Sequence, residues 1–199
     1  YEKSFSVMAP DGTGKTTFLT QLLNRLAFLY VDAPNNTGRF HLYHFRPSLF
    51  PNLGEVGEKA RIMKQDTDFT NPHRAKPAGL VSSLIRITYY WMDYVLGWMY
   101  FTRRDVQYDR YTVYDRYSYD LLVDPHRTRL NLPYWLRKCF VSFMPHPKIS
   151  FFLKATPEVV LRRKAELSYD EIVRQIASYE RLAVANNHII TIDANKSVD

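Results

Sequence analysis

Apolar residues along this chain gather in short runs separated by longer stretches of helical spacing, a pattern that predicts strands alternating with helices. Lys3 to Met8 (KSFSVM) reads as a strand, followed by a turn holding Pro10 and Gly12. Lys15 to Tyr30 reads as a helix with Phe18, Leu19, Leu22, Leu23, Leu26 and Leu29 on one stripe. Ala33 to Gly38 is rich in turn residues, and Arg39 to Phe45 alternates weakly as a second strand. Arg46 to Pro77, punctuated by Pro47, Pro51, Pro72 and Pro77, is the least regular stretch; a short helix is expected near Gly57 to Met63.

Leu80 to Arg104 has the spacing and length of a long, very apolar helix. Arg86 and Asp93 interrupt it, and its longest charge-free run, Tyr94 to Thr102, has 9 residues. A membrane span needs about 20, so the expected role is a core helix or the interface of a homodimer, with no membrane span. Tyr111 to Tyr114 is a further strand, ending at Asp115; Tyr134 to Phe143 is a helix and Ile149 to Leu153 another strand. Thr156 is placed to cap a helix opened by Pro157, with Glu158 near its positive end. Ser168 and Glu171 form a capping-box pattern at the head of a helix reaching Asn186, and His188 to Ile192 is the last strand. This alternation predicts the α/β class: a mostly parallel sheet with helices on both faces, in one domain. The chain opens on Tyr1 rather than Met and stops soon after the last strand, so residues are expected beyond it, a closing C-terminal helix among them.

Composition narrows the picture in two ways. The single cysteine, Cys139, excludes an intramolecular disulfide and suits a reducing compartment such as the cytoplasm. The first apolar run, Phe5 to Ala9, is too short for a secretory signal. The formal net charge of +7 fits a solvated basic surface, a phosphate-rich ligand or nucleic acid; no Lys/Arg run exceeds the 3 residues Arg162 to Lys164, which argues against nucleic acid.

The chemistry concentrates in Ala9-Pro10-Asp11-Gly12-Thr13-Gly14-Lys15-Thr16. It follows the phosphate-binding pattern G-x-x-x-x-G-K-[ST] with Ala9 in place of the first glycine. Backbone N–H groups of such a turn and of the helix behind it form an anion nest. Gly12 and Gly14 permit the turn's backbone angles, Lys15 can reach the β- and γ-phosphates, and the Thr16 hydroxyl can ligate Mg²⁺. Pro10 through Thr17 is therefore the candidate nucleotide-binding set, with ATP as phosphoryl donor. A second motif, Tyr111 to Tyr117 (YTVYDRY), ends a strand with Asp115, where a phosphate-binding enzyme holds its magnesium. Arg116 beside it can clamp a phosphate bidentately.

The segment Asp11 to Thr17 (DGTGKTT), the triplet Asp115-Arg116-Tyr117 and the Thr156-Pro157-Glu158 turn before Arg162-Arg163-Lys164 resemble thymidylate kinase, in the same order and spacing and over nearly the whole chain. The resemblance implies a five-stranded parallel sheet of the P-loop NTPase type, Mg-ATP as donor and a nucleoside monophosphate as acceptor. It implies that Asp11 lies near the transferred phosphoryl group, that Arg116, with Tyr117 beside it, holds the acceptor phosphate, and that Arg162 and Arg163 belong to a lid over ATP. Consecutive positions on a helix cannot all face one way, so a solvated helix face stands as the alternative for those arginines.

The acceptor side departs from the family. After the second strand the chain reads His44-Phe45-Arg46-Pro47-Ser48, without the family's acidic residue, leaving Arg46 as the candidate acceptor cation. On the long helix the family's Asp-Arg pair is replaced by Asp93-Tyr94, which leaves Asp93 as an acceptor-side candidate without its arginine. Tyr89, Tyr90, Trp91, Tyr94 and Trp98 can stack on a base or pack a core. Asp124 to Arg127 suits an acceptor pocket or a simple turn, and the six histidines show no metal spacing with Cys139. Two rival readings remain: a kinase of a sugar or other metabolite, with Asp11 as base for an alcohol, and a nucleotide-binding regulatory protein with little turnover.

Overall fold

The computed structural model describes residues 3–29, 40–51 and 79–195. Five strands, β1 (Ser4–Met8), β2 (Phe40–His44), β3 (Tyr111–Asp115), β4 (Ile149–Lys154) and β5 (Ile189–Asp193), form one sheet in the order β2-β3-β1-β4-β5. Every pairing is parallel, as the alternation of strands and helices predicts. β1 is central and buried along its whole length, which is why its sequence is a nearly unbroken small-and-apolar run. The register sets Val7 beside Asp115 and Asp115 beside His44, so the carboxyl ends of three adjacent strands lie abreast.

By internal contacts the residues divide into two compact units: one from 1–45, 102–117 and 147–199, the other from 46–101 and 118–146. In the first, helix α1 (Lys15–Leu29) packs Phe18, Leu19, Leu22, Leu23 and Leu26 against Phe5, Val7, Val113 and Leu153. The Leu29 side chain, Tyr30, the 33–38 loop and the helix expected at 57–63 lie outside the described residues. Leu153 serves the α1 side, whereas Phe152 stacks on Tyr179 at 5.3 Å. Adjacent strand residues point to opposite faces, so α1 covers one face of the sheet and α6 (Tyr169–Ala185) the other.

Helix α5 (Pro157–Arg163) has Thr156 at its N-cap in extended conformation, but the hydroxyl does not cap the backbone; it hydrogen-bonds the Glu158 carboxylate. At α6 the cap works as the sequence predicts, with Ser168 Oγ accepting from the Glu171 N–H at 3.3 Å.

The long helix, α2 (Leu80–Gln107), continues three residues beyond the predicted end at Arg104. The cause is Asp105, which is fully buried and accepts from the Thr112 hydroxyl at 2.8 Å and from His41 Nδ1 at 3.0 Å, anchoring the last turn to β3 and β2. Among the described residues no helix is long and apolar enough to cross a membrane. The second unit also holds α4 (Tyr134–Ser142) and a four-residue helix, α3 (Asp120–Val123), that periodicity did not reveal. Arg137 of α4 donates to the carbonyls of Leu121 (2.7 Å) and Leu122 (2.9 Å), giving these acceptors at the end of α3 the donor that a helix end does not supply.

Candidate nucleotide-binding site

The turn after β1 has the backbone its glycines predict: φ is +88° at Gly12 and +100° at Gly14, values open to glycine at little cost. Ala9 needs no such freedom. Its methyl is fully buried in the cluster of Phe5, Val7, Leu19 and Leu153, so the substitution of the first glycine is absorbed by the core rather than projected into the loop. Thr13 closes the turn with its hydroxyl on the Pro10 carbonyl at 2.9 Å. α1 begins at Lys15, so the N–H groups of its first turn have no helical partner and face the loop.

Lys15 is buried, and its ammonium donates to the carbonyls of Ala9 and Pro10, both at 3.0 Å. It lies 3.6 Å from Oδ1 of Asp11. The same Oδ1 receives Arg116 in a short ion pair. Arg116 has φ of +73° and donates its N–H to Val7 O at 2.9 Å. A non-glycine residue in this region costs roughly 1–3 kcal/mol and persists where the surroundings over-determine it. The structure thus brings Asp11, Lys15 and Arg116 together at the head of β1 and β3.

Asp115 is the next element. His44 Nδ1 donates to its Oδ2 at 3.1 Å. Its Oδ1 is buried with no hydrogen-bond partner among the described residues. Burial pushes the carboxyl up, but the His44 hydrogen bond, the Lys15 ammonium and the Arg116 guanidinium outweigh it and hold the group below its ordinary range. A charged carboxylate with one oxygen unsatisfied suits a cation. Among the described residues no group of three or more His, Cys, Asp or Glu side chains gathers to hold a metal. The Asp115 carboxylate and the exposed Thr16 hydroxyl are oxygen donors of the kind that fit Mg²⁺, which takes most of its shell from phosphates and water.

The two arginines expected in a lid are both exposed; Arg163 Nη1 donates to Thr13 O at 3.0 Å and Ala194 O at 3.1 Å. The end of α5 lies against the turn: a Cβ on Gly12 would sit 2.9 Å from Lys164 Cβ and 3.0 Å from Val160 O.

In the second unit Arg46 and Asp93 form a buried ion pair at 2.7 Å. The Asp93 carboxylate also accepts from the N–H groups of Ser48 (3.2 Å) and Phe50 (2.8 Å), and Arg46 Nη2 donates to Pro51 O at 3.1 Å. Both residues, expected at an acceptor pocket, are engaged in fixing the 46–51 loop to α2. Tyr117 is likewise closed off, with its ring 4.6 Å from that of Tyr114. Tyr94 is fully buried, whereas Tyr89 binds Pro51 O through its hydroxyl at 2.6 Å and lies near the Phe50 ring. Asp124 to Arg127 forms a turn, with the Arg127 N–H on Asp124 at 3.3 Å. Sequence reading missed His44; the signal would have been strand register, which sets it beside Asp115.

A scan of the sequence against protein-family models finds no match, nor does a search of curated proteins. Among solved structures the chain is similar to thymidylate kinase from Ehrlichia chaffeensis, with a TM-score of 0.59 and 14% sequence identity over 100% of this chain and 91% of that one. At that identity the likeness establishes a shared fold alone, an α/β architecture built on a five-stranded parallel sheet.

Proposed function

We propose that this protein is an Mg-ATP-dependent phosphotransferase of thymidylate kinase type, acting on a nucleoside monophosphate such as dTMP. The observation that carries the reading is the Ala9–Thr16 turn with Lys15 at its base, beside a charged Asp115 whose Oδ1 has no hydrogen-bond partner among the described residues. The turn's amides and Lys15 grip the triphosphate tail, and Arg116 holds the acceptor phosphate once released from Asp11. Thr16 and Asp115 would hold magnesium, which supplies charge neutralisation on the phosphates when bound. Arg162, at the exposed end of α5, is the lid cation.

A phosphate acceptor is already nucleophilic and needs no strong base. An alcohol acceptor does need one, and Asp11 is poorly placed for that task, because its Oδ1 faces Lys15 and Arg116. This favours a nucleotide over a sugar. We also propose a homodimer through α2. Val81, Ile85, Met92, Leu96 and Met99 leave an exposed apolar stripe along that helix, of the kind that marks an interface. With its one cysteine, the protein suits the cytoplasm.

The test is ADP release on incubation with Mg-ATP and a panel of nucleoside monophosphates and sugars. Turnover with dTMP or another monophosphate supports the proposal, and turnover with sugars alone replaces it. Nucleotide binding without acceptor-dependent ADP would mark a regulatory protein. Lys15→Ala removes all activity on this reading, and full activity in that variant rules out the donor site.

A further inference from the structure

The second compact unit, residues 46–101 and 118–146, distributes its charges unevenly. Its acidic residues among those described are Asp93, Asp120 and Asp124, and none of them is more than 3% exposed. Asp93 and Asp124 are moreover matched inside the unit by Arg46 and Arg127. From Pro125 to His146 the chain carries His126, Arg127, Arg129, Arg137, Lys138 and His146, with no Asp or Glu. Among the described residues, this unit therefore turns cations such as Lys138 to solvent and no carboxylate. Such a surface is complementary to an anionic one.

Helix α4 adds apolar bulk to the same surface. Its buried side chains are Arg137 and Val141, and Arg137 is locked by the carbonyls of Leu121, Leu122 and Leu132. The opposite face carries Trp135, Cys139 and Phe143 at i, i+4 and i+8, all exposed, with Lys138 and Ser142 alongside. Trp135 is 68% exposed and Phe143 71%, so two large rings project about two turns apart with a lysine between them. Tyr134, 51% exposed, stands at the head of the same helix. Single exposed apolar residues need no explanation; here the rings share one stripe, on a unit whose described surface has no carboxylate. Aromatic rings of this kind settle at the headgroup level of a bilayer, and a lysine between them can lay its stem on apolar surface while its ammonium reaches phosphate. A nucleic-acid track needs several cations in line along a groove, whereas the exposed face of α4 has Lys138 alone. We propose that α4 is a peripheral membrane-docking helix: it lies on a bilayer rich in anionic lipid, Trp135 and Phe143 enter the headgroup region, and Lys138 pairs with lipid phosphate. The reading is independent of the donor site.

The test is co-sedimentation of the full chain with vesicles of phosphatidylglycerol and phosphatidylcholine, and with vesicles of phosphatidylcholine alone. The chain should bind the anionic vesicles, and bind less on neutral vesicles and at high salt. Trp135→Ser combined with Phe143→Ser should lower the partition coefficient about tenfold or more. Lys138→Glu should lower it at least about fivefold on anionic vesicles and leave neutral ones unchanged. Brominated lipid should quench part of the tryptophan emission; in Trp135→Phe binding persists and that quenching disappears. No binding to anionic vesicles, or a partition unmoved by the double substitution, overturns the proposal. Quenching that survives in Trp135→Phe overturns it too, because another face then meets the lipid. Retention on single-stranded RNA that the same substitutions abolish, without vesicle binding, assigns the face to nucleic acid instead. Should the double variant fail to fold, Trp135→Ser and Phe143→Ser singly carry the comparison. None of these outcomes depends on ADP release.

Discussion

The guanidinium of Arg46 and the carboxylate of Asp93 meet at 2.7 Å across 47 residues of sequence, with neither side chain more than 6% exposed. Two backbone N–H groups, of Ser48 and Phe50, converge on the same carboxylate. Breaking a buried pair from one side leaves the other charge stranded, at a cost of roughly 3–5 kcal/mol. Asp93→Ala should therefore lower the free energy of unfolding in urea by about that amount. Asp93→Asn, which retains a carbonyl acceptor, should cost less. A loss under about 1 kcal/mol for Asp93→Ala would show the pair to be loosely held.

A close approach one turn further along α2 gives a second prediction. A Cβ on Gly97 would lie 2.6 Å from Pro47 Cβ and 3.4 Å from Leu49 Cβ. Replacing a mid-helix glycine by alanine gains up to about 1 kcal/mol in helix propensity, whereas overpacking against a stiff neighbour costs about 1–3 kcal/mol. The clash is with a proline ring, so Gly97→Ala should destabilise in urea melts. Pro47→Gly in the same chain should recover part of the loss, a non-additivity that a purely local helix effect would not produce.

These two devices show where sequence reading stopped. The five strands, the glycine-bearing turn after β1 and the Ser168 cap were legible because each depends on neighbours within a few residues. Arg46 was read as a free cation for an acceptor because its partner lies on another element. The pairings of Asp11 with Arg116 and of His44 with Asp115 span 105 and 71 residues. They arise from parallel register, which fixes strand ends side by side and leaves no mark on local periodicity. α3 was invisible for another reason: all four of its residues are buried, so no polar face alternates with an apolar one.

Asp115 sets a pH dependence. Its native carboxyl titrates below the ordinary value of 3.8, because the hydrogen bond from His44 and the nearby Lys15 and Arg116 overcome the effect of burial. The stability this contributes is present above the unfolded value and lost as pH falls through the lower native one. The gap in stability between wild type and Asp115→Asn, measured by urea denaturation without metal or nucleotide, should be constant near neutrality and shrink below pH 3.8. A gap that holds steady through that acid window would mean that the native carboxylate is not held in its charged form.

Ala9 and Gly12 make a paired test of the phosphate-binding turn. Ala9 lies where the pattern has its first glycine, yet its methyl is buried in the core and its backbone is not left-handed. Ala9→Gly restores the pattern but should lower stability by about 1–2 kcal/mol, through about 0.8 for the lost methyl and a further 0.4–1 for the freer unfolded chain. Affinity for Mg-ATP should stay within about threefold, since no donor of the anion nest is altered. Gly12→Ala acts in the opposite sense. It places a side chain at φ of +88° and drives a Cβ to 2.9 Å from Lys164 Cβ and 3.0 Å from a backbone carbonyl. The left-handed backbone alone costs about 1–2 kcal/mol, and the turn must shift to clear Val160 O, so Mg-ATP binding should fall at least tenfold, a change of about 1.4 kcal/mol. Calorimetric titration of both variants decides the point. Unimpaired binding in Gly12→Ala would mean that the triphosphate is held somewhere other than on this turn, and a large loss in Ala9→Gly would mean that the buried Ala9 methyl helps to shape it.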